Sequence, residues 1–229
     1  MIKKNVARYW EPLDARASRS RTGGPSFSLA NRIIRAIWRT TWFLFARWTP
    51  PFLHPWRALV LRGFGAKLGT NCRVHASARI WLPANLMLGD NVLIGPGAIV
   101  YNQGVIKIGS DCIISQRSHI CASTHDVDDP HFQLMLRPIA IGSNCWVAAE
   151  AFVGPGVTMA DGSVIAARGA LFEDTQAWTI HRGNPAVALR KRVRRAGAAS
   201  VFPQGLAIEV PDWPQAPARK AAREIADAV

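Results

Sequence analysis

Three histidines stand six residues apart in the middle of the chain, at His119, His125 and His131. Imidazole titrates closest to neutral pH, so histidine is the usual proton acceptor when a hydroxyl must become a nucleophile. Three histidines are also a ligand set for zinc, provided that their nitrogens converge at about 2.0–2.1 Å from the metal. The surrounding sequence has to decide between a general base and a metal site.

The residues on both sides of these histidines repeat with the same period of six. An aliphatic side chain returns at Ile108, Ile114 and Ile120, and again at Ile141, Val147, Val153, Met159, Ile165 and Leu171. The fourth residue after each is small or slender: Cys112, Ser118, Thr124, Cys145, Ala151, Val157, Ser163, Gly169 and Thr175. This period fits neither an α-helix nor an ordinary strand, and it is typical of a parallel β-solenoid whose stacked coils share one core.

Two features interrupt the period. In an earlier, looser series the phase jumps by two residues at Leu88 and again at Ile108, which predicts coils with a longer corner. Between the two regular series lies a loop at 126–138, which His125 opens directly after the last small residue in register, Thr124. Because a solenoid has no natural pocket, an extruded loop beside a groove is a plausible way to build one.

The net charge of +13 is concentrated at the ends of the chain. Residues 1–60 carry 11 Lys and Arg against 2 acids, whereas residues 61–186 carry 9 of each. The lead-in at 1–60 contains an amphipathic helix over 29–48, which indicates either an anchor at a membrane interface or a cap on the end of the solenoid. Its longest uncharged apolar run, 40–46, is far short of the ~20 residues of a transmembrane span.

Composition narrows the remaining choices. No recognised nucleic-acid module accompanies the basic charge, so we predict no nucleic-acid partner. The N-terminus lacks the order of a secretory signal, which predicts a cytoplasmic protein, and the membrane-interface interpretation would place it at the inner membrane face. Cys72, Cys112, Cys121 and Cys145 fall within repeats, where free, buried thiols are expected. The basic, Ala- and Pro-rich tail at 191–229 is predicted to be accessory.

Longer motifs give a specific resemblance. They are LRGFGAKLG at 61–69, VYNQG at 100–104, IGSDCIIS at 108–115, ASTHD at 122–126, PIAIGSNCWVAAEAFVGPGVTMADGSVIAARG at 138–169 and AWTIHRGNPA at 177–186. With them, the segment 61–190 resembles the hexapeptide-repeat acyltransferases, and within these the sugar O-acetyltransferases of the colanic acid biosynthesis type. The resemblance implies an all-β fold, a left-handed parallel β-helix that is an exception to the right-handed rule for parallel crossovers. It also implies a homotrimer with active sites between subunits.

The resemblance implies a role for several residues. His125 matches the general base that activates a sugar hydroxyl, and a backbone N–H would stabilise the oxyanion. Asn102 matches an acceptor-binding position, although a purely structural turn role is equally open, and His131 is expected to line the acceptor site. The positions matching the acetyl-CoA site are Trp146, Ala149, Ala167 and Arg190. The expected activity is O-acetylation of a sugar or lipid-linked glycan during exopolysaccharide assembly.

Three alternatives stay open. A zinc enzyme of the γ-carbonic anhydrase type shares the solenoid, but a six-residue step carries a histidine to the next face, so one chain would aim the three histidines in different directions. Ligands from two subunits would remove that objection. A transferase with another acyl donor or an amine acceptor, and a scaffold without activity, are the other two.

Overall fold

The computed structural model describes residues 26–193, which form two helices followed by a parallel β-helix. Helix α1 spans Leu29–Phe45 and α2 spans His54–Gly63, with a short 3-10 turn at Pro51–Leu53 between them. The helix predicted over 29–48 is present and ends at Phe45. Helix α2 was not predicted: Pro55 lies in its first turn, where proline is tolerated, instead of ending a helix. Residues 61–63 therefore belong to α2, and the first strand starts at Lys67.

Each coil of the β-helix contains three short strands. In chain order they are β1 (Lys67–Leu68), β2 (Arg73–Val74), β3 (Arg79–Ile80), β4 (Leu86–Leu88), β5 (Leu93–Ile94), β6 (Ile99–Tyr101), β7 (Ile106–Ile108), β8 (Ile113–Ile114), β9 (His119–Cys121), an inserted pair β10 (Ser123–His125) and β11 (Leu134–Leu136), then β12 (Ile139–Ile141), β13 (Trp146–Val147), β14 (Phe152–Val153), β15 (Thr158–Met159), β16 (Val164–Ile165) and β17 (Ala170–Leu171). A terminal antiparallel hairpin follows, β18 (Thr179–Gly183) and β19 (Ala186–Lys191).

Equivalent strands of successive coils pair in parallel and form three faces. The first face is β1-β4-β7-β12-β15, the second is β2-β5-β8-β13-β16 continued by β18 and β19, and the third is β3-β6-β9-β14-β17. We call the edge between the first and second faces the first corner, that between the second and third faces the second corner, and that leading to the next coil the third corner. The predicted left-handed parallel β-helix is confirmed.

The sequence period corresponds to the interior of this prism. The repeating aliphatic residues point inward, and Ile114, Ile120 and Ile165 have no exposed surface. Burial of such a side chain contributes about 1.5–3 kcal/mol to folding. Most of the small residues are buried at the corners as predicted, but Thr124 is exposed. The repeat register therefore ends after Ile120, where the chain leaves the coil, and not at His125.

Coil length explains the phase jumps. Met87 pairs with Lys107, twenty residues later, whereas Ala140 pairs with Thr158, eighteen residues later. The early coils thus hold two residues more than three hexapeptides, and those residues lie at the third corner, where a 3-10 turn at Pro83–Asn85 occupies the first coil. The predicted longer corners are present.

The helices are fastened to the first coil by polar contacts in an apolar interface. The indole N–H groups of Trp38 and Trp42 donate to the carbonyl oxygens of Ile80 (2.8 Å) and Ala76 (3.2 Å). Arg57 of α2 is fully buried, and its Nε donates to the carbonyl oxygen of Val74 at 2.7 Å. Within residues 26–193, no helix is both long and apolar enough to cross a bilayer.

The remaining predictions on the ends and the thiols concern separate parts of the chain. All four cysteines are free thiols; three are buried and Cys121 is half-buried. The segment predicted as solenoid up to 190 finishes with the β18–β19 hairpin instead of a complete coil. The tail predicted at 191–229 lies, from residue 194 onward, outside the described residues, as does the start of the lead-in.

Candidate active site

The third corner of the third coil carries the insertion. Strands β10 and β11 form an antiparallel hairpin in which His125 pairs with Leu134. The loop predicted at 126–138 is therefore shorter, since β11 takes up 134–136 and only residues 126–133 connect the strands. His125 ends the outgoing strand, and its side chain is exposed.

One hydrogen bond determines which ring nitrogen of His125 carries the hydrogen. Its Nδ1 lies 2.6 Å from the carbonyl oxygen of Phe132, across the hairpin. A carbonyl oxygen only accepts, so Nδ1 carries the hydrogen and donates it. In the neutral ring, Nε2 then holds the free lone pair. Nε2 has no hydrogen-bond partner among residues 26–193, so it is available to take a proton.

The hairpin tip holds the Phe132 carbonyl in place. Asp129 accepts hydrogen bonds from the backbone N–H of His131 (2.7 Å) and from the side-chain amide of Gln133 (2.8 Å). Phe132 adopts a positive φ of 47°, which a non-glycine residue adopts only when its surroundings impose it. Sequence reasoning missed both residues: a backbone acceptor has no side-chain signature, and Asp129-Pro130 was visible only as a turn signal.

The two predicted acceptor-binding residues have different environments. His131 lies half-buried in the tip. Asn102 is fully buried; its Oδ1 accepts from the backbone N–H groups of Trp81 (3.0 Å) and Leu82 (3.1 Å), and its Nδ2 donates to the Leu82 carbonyl (2.6 Å). Its amide is committed to the third corner of the preceding coil, which is the turn role left open by the sequence.

The three regularly spaced histidines do not converge in one chain. His119 lies on the third face between Tyr101 and Phe152, with ring centroids 6.3 and 5.4 Å away, whereas His125 and His131 lie on the hairpin. Within the described part of the chain, no group of three His, Cys, Asp or Glu side chains is placed to hold a metal ion.

The second corner collects three of the four residues predicted for the cofactor. Ala149 and Ala167 occupy the same turn position in successive coils, since the Arg168 N–H donates to the Ala149 carbonyl at 2.9 Å. Trp146 precedes this corner and is 45% exposed. Its indole N–H donates to Ser115 Oγ at 2.8 Å, which holds the ring along the corner.

The backbone of the second corner differs from that of the first. At the first corner, the N–H of each turn is satisfied by a side chain one coil further on: Thr70 donates to Asp90, Asp90 to Ser110, Ser110 to Ser143, and Ser143 to Asp161. Alanine has no acceptor, so the N–H groups of Ala149 and Ala167 lack a partner among residues 26–193. The second corner therefore presents free N–H donors beside small side chains, which suits a ligand with amide carbonyls.

Arg190 lies on the same face as this corner. Register connects it to Trp146 through Val164 and Ile180, three strand spacings or about 14 Å along the second face. Its guanidinium is exposed and makes no ion pair within the described residues. The adjacent cations donate to groups of the protein itself. Arg192 donates to the carbonyls of Asn144 (2.7 Å) and Gly162 (3.1 Å), and Lys191 Nζ donates to Thr179 Oγ1 at 3.1 Å.

The predicted residues thus form two clusters on two corners of the prism. His125, His131 and Asn102 lie around the third corner, and Trp146 and the two alanines line the second. The width of the third face, about six residues or ~20 Å, separates them in one chain.

Comparisons with known proteins assign the family. Residues 86–115 and 138–167 match the family model described as the hexapeptide repeat of succinyl-transferase. Over 167 residues the chain is 41% identical to WcaF of Escherichia coli strain K12, named for acetyltransferase action in colanic acid biosynthesis, covering 73% of this chain and 92% of that protein. The chain belongs to the hexapeptide-repeat acetyltransferases. The family predicted from the motifs is confirmed. The prediction that the protein is an acetyl-CoA-dependent acyltransferase is confirmed as well.

Solved hexapeptide-repeat acetyltransferases share the fold. A Vibrio cholerae enzyme complexed with acetyl-CoA has a TM-score of 0.67 and 20% identity, covering 75% of this chain and 93% of that one. A galactoside acetyltransferase in complex with coenzyme A has the same TM-score and 21% identity, covering 79% and 91%. Acetyl-CoA as cosubstrate is likewise confirmed.

Proposed function

We propose that the protein transfers the acetyl group of acetyl-CoA to a sugar hydroxyl, with His125 as general base. The observation that carries the proposal is the hydrogen bond from His125 Nδ1 to the Phe132 carbonyl, because it leaves Nε2 as the acceptor of a proton. Both the exposure of the ring and its place on a paired antiparallel hairpin favour this role.

The proton follows a short path in this reaction. Acetyl-CoA supplies an acyl group activated as a thioester. His125 Nε2 takes the hydroxyl proton as the sugar oxygen attacks the acetyl carbonyl carbon, and it returns that proton to the sulfur when the C–S bond breaks. The Phe132 carbonyl accepts the Nδ1 hydrogen before and after this transfer, so the ring keeps its orientation while Nε2 holds the proton.

For the cofactor we propose the second corner. Its unpaired N–H groups at Ala149 and Ala167 would donate to the pantetheine arm, Trp146 would flank the arm, and Arg190 would pair with the phosphates as a fork of donors.

We propose a homotrimer with sites between subunits, as the family resemblance implies, and the separation of the two clusters supports it. The base and the cofactor residues lie on opposite edges of the third face, so a complete site needs the third corner of one copy beside the second corner of another. Threefold packing of triangular prisms produces such pairs of corners. Exposed Trp146 and its register partner Ile113, 44% exposed, supply apolar surface near that contact.

For the acceptor we propose a sugar in exopolysaccharide assembly. WcaF, the relative at 41% identity, is named for colanic acid biosynthesis and is matched over 92% of its length. His131 would face the acceptor from the hairpin tip, whereas Asn102 would act only by shaping the preceding corner.

We also infer that the outer side of α1 binds an anionic membrane surface. Ile33, Ile37 and Leu44 are each about half exposed there. Residues 26–64 carry six arginines and no acid; Arg57 is buried, and the charge of the other five complements anionic lipid headgroups. The full-length protein should sediment with phosphatidylglycerol vesicles. The double variant Ile33→Ser/Ile37→Ser should lose this binding, whereas the control variant Val193→Ser should keep it. If the wild type and both variants stayed in the supernatant to the same extent, the proposal that this side of α1 binds membranes would be rejected.

The activity is tested by transfer of labelled acetyl groups from acetyl-CoA to a panel of neutral, nucleotide-linked and lipid-linked sugars. An O-acetyl product is released by mild alkali, whereas an N-acetyl product withstands it. We expect label that is alkali-labile and tracks sugar acceptors. Alkali-stable label would indicate an amine acceptor, and no transfer to any sugar would reject the proposed acceptor class.

A further inference from the structure

A groove of about 1080 Å³ separates α1 from the third face of the first two coils. One wall is α1, and the floor is formed by β3 and β6. The groove lies on the first two coils, so it is separate from the hairpin that bears His125 and from the turns of Ala149 and Ala167. It reaches the third corner at Trp81 and Tyr101, whose rings meet edge to face with centroids 6.4 Å apart.

The lining of this groove is strongly basic. Arg35, Arg39, Arg47 and Arg79 contribute four guanidinium groups, and among the described residues no carboxylate lines it. None of the four makes an ion pair within residues 26–193; the two ion pairs found there join Arg117 and Arg168 to Glu150 on another corner. Like charges gathered in a concave site repel one another unless an anion joins them.

Arg35 is held in place within the groove. Its guanidinium lies 4.3 Å from the centre of the Trp81 ring, and its Nε donates to Asn31 Oδ1 at 2.9 Å. Burial lowers the pKa of Arg35; Tyr101 opposes this shift, and the nearby charges of Arg32 and Arg39 add to it. The terminal nitrogens of Arg35 have no partner in the described part of the chain. A fixed fork with free donors is the arrangement that binds phosphate oxygens.

We infer that this groove binds the phosphate or diphosphate group through which the acceptor sugar is carried. The inference rests on the proposed function and narrows its acceptor class to sugars linked to a diphosphate. Several guanidiniums without counter-charges suit a group with several negative charges better than a neutral sugar. Trp81 and Tyr101 offer aromatic surface for the attached ring.

The position of the groove relative to His125 agrees with this role. Tyr101 pairs with Cys121, and Cys121 lies four residues before His125 on the same corner. From Trp81 to the coil that bears the hairpin is a rise of two strand spacings, about 10 Å. A sugar attached to a phosphate beside Arg35 can extend along the third corner over that distance.

Binding is tested by calorimetric titration of inorganic pyrophosphate into the full-length protein with CoA at saturation, so that the cofactor's own phosphate contacts are filled. We expect saturable binding at one site per chain. Arg35→Gln and Arg79→Gln should each weaken it by about tenfold or more, because each removes charge-assisted hydrogen bonds. Arg73→Gln removes the same charge on the second face and should change the pyrophosphate affinity less than twofold. Arg35→Lys should retain part of that affinity.

Kinetics separate this inference from the proposed function. With a nucleoside diphosphate sugar as acceptor, Arg35→Gln should raise KM about tenfold with kcat within twofold, while KM for a neutral sugar and the affinity for CoA stay unchanged. If no sugar is acetylated at all, the proposed function fails, and the pyrophosphate titration still decides whether the groove binds diphosphate.

Three outcomes would overturn the inference. In the first, pyrophosphate does not bind once the CoA site is filled. In the second, Arg73→Gln weakens pyrophosphate binding as much as Arg35→Gln does. In the third, Arg35→Gln abolishes binding to phosphatidylglycerol vesicles and leaves pyrophosphate binding intact. The last result would assign the groove to membrane headgroups instead of the acceptor.

Discussion

The imidazole of His125 and the backbone carbonyl of Phe132 are joined by a 2.6 Å hydrogen bond across the hairpin that leaves the third coil. The bond selects the ring tautomer, limits rotation of the ring and leaves Nε2 facing solvent. Its acceptor is a backbone atom, so its position depends on the tip of the hairpin and on the residues that hold the tip. The first prediction concerns those residues.

Asp129→Ala should lower kcat about tenfold with little change in KM for acetyl-CoA. The carboxylate holds His131 N–H and the Gln133 side chain, and without it the Phe132 carbonyl can shift relative to His125. Steady-state kinetics on the purified protein measure the effect. Asp128→Ala is the matched control, since the exposed Asp128 side chain makes no hydrogen bond in the described chain. A kcat within twofold of wild type in Asp129→Ala would show that the tip does not position the base.

Ala167→Asp should weaken acetyl-CoA binding about tenfold while leaving the fold intact. At the first corner, Asp161 accepts the N–H of Ser143, eighteen residues earlier, at 2.6 Å. Ala167 stands in the same relation to Ala149, so the new carboxylate would satisfy the Ala149 N–H and remove a donor from the pantetheine arm. Calorimetric titration with acetyl-CoA checks the change.

The reverse substitution on the other corner is its control. Asp161→Ala removes the acceptor from Ser143 N–H and should cost about 1–3 kcal/mol of stability. Its affinity for acetyl-CoA should match wild type. If Asp161→Ala weakened acetyl-CoA as strongly as Ala167→Asp does, the assignment of the cofactor to the second corner would be wrong.

Asn102→Ala should destabilise the protein by about 1–3 kcal/mol, because the Leu82 N–H would lose its partner, whereas the Trp81 N–H and the Leu82 carbonyl keep their bonds to the Val100 carbonyl and the Asn85 N–H. Denaturant unfolding measures this change. Well below the melting temperature, KM for the sugar should stay within twofold of wild type. A large rise in that KM with unchanged stability would instead support the direct acceptor contact predicted from the sequence.

Stability should fall on acidification because of buried histidines. Burial lowers the pKa of His181, whose Nδ1 has no hydrogen-bond partner among residues 26–193, and likewise lowers the pKa of the half-buried His119. Below pH ~6.5 the unfolded chain therefore binds protons that the folded chain resists, and the loss of stability continues until the pH reaches the lowered folded-state pKa. His181→Leu should reduce the fall in Tm between pH 7.5 and pH 5. An identical fall in wild type and variant would exclude this contribution.

The sequence period was sufficient to predict a parallel β-solenoid, and the family motifs supplied its left hand. Inward-facing residues at six-residue spacing, such as Ile114 and Ile120, allow only a short strand and a turn per repeat, and the two-residue phase jumps correspond to longer third corners. The period does not say where the chain leaves the coil: Thr124 keeps the spacing by residue type but lies exposed on the hairpin, whereas Ala122 is fully buried. Helix α2 was missed because Pro55 ends one helix pattern as readily as it begins another.

The site was predictable only where a side chain carries the signal. His125 follows from its place at the break in the repeat and from the family motif. The Phe132 carbonyl and the free N–H groups of Ala149 and Ala167 are backbone groups, and their availability depends on which neighbours can pair with them. The inward orientation of Asn102 is likewise a property of the stacked corner and not of the residue itself.

The central claim is that Nε2 of His125 removes the proton from the acceptor hydroxyl. We would measure acetyl transfer and acetyl-CoA affinity in His125→Ala, with the assembly state checked by sedimentation. The account predicts a loss of at least a hundredfold in kcat, with acetyl-CoA affinity within twofold of wild type and the same assembly. Near-normal turnover in a correctly assembled variant would contradict it and remove His125 from the reaction.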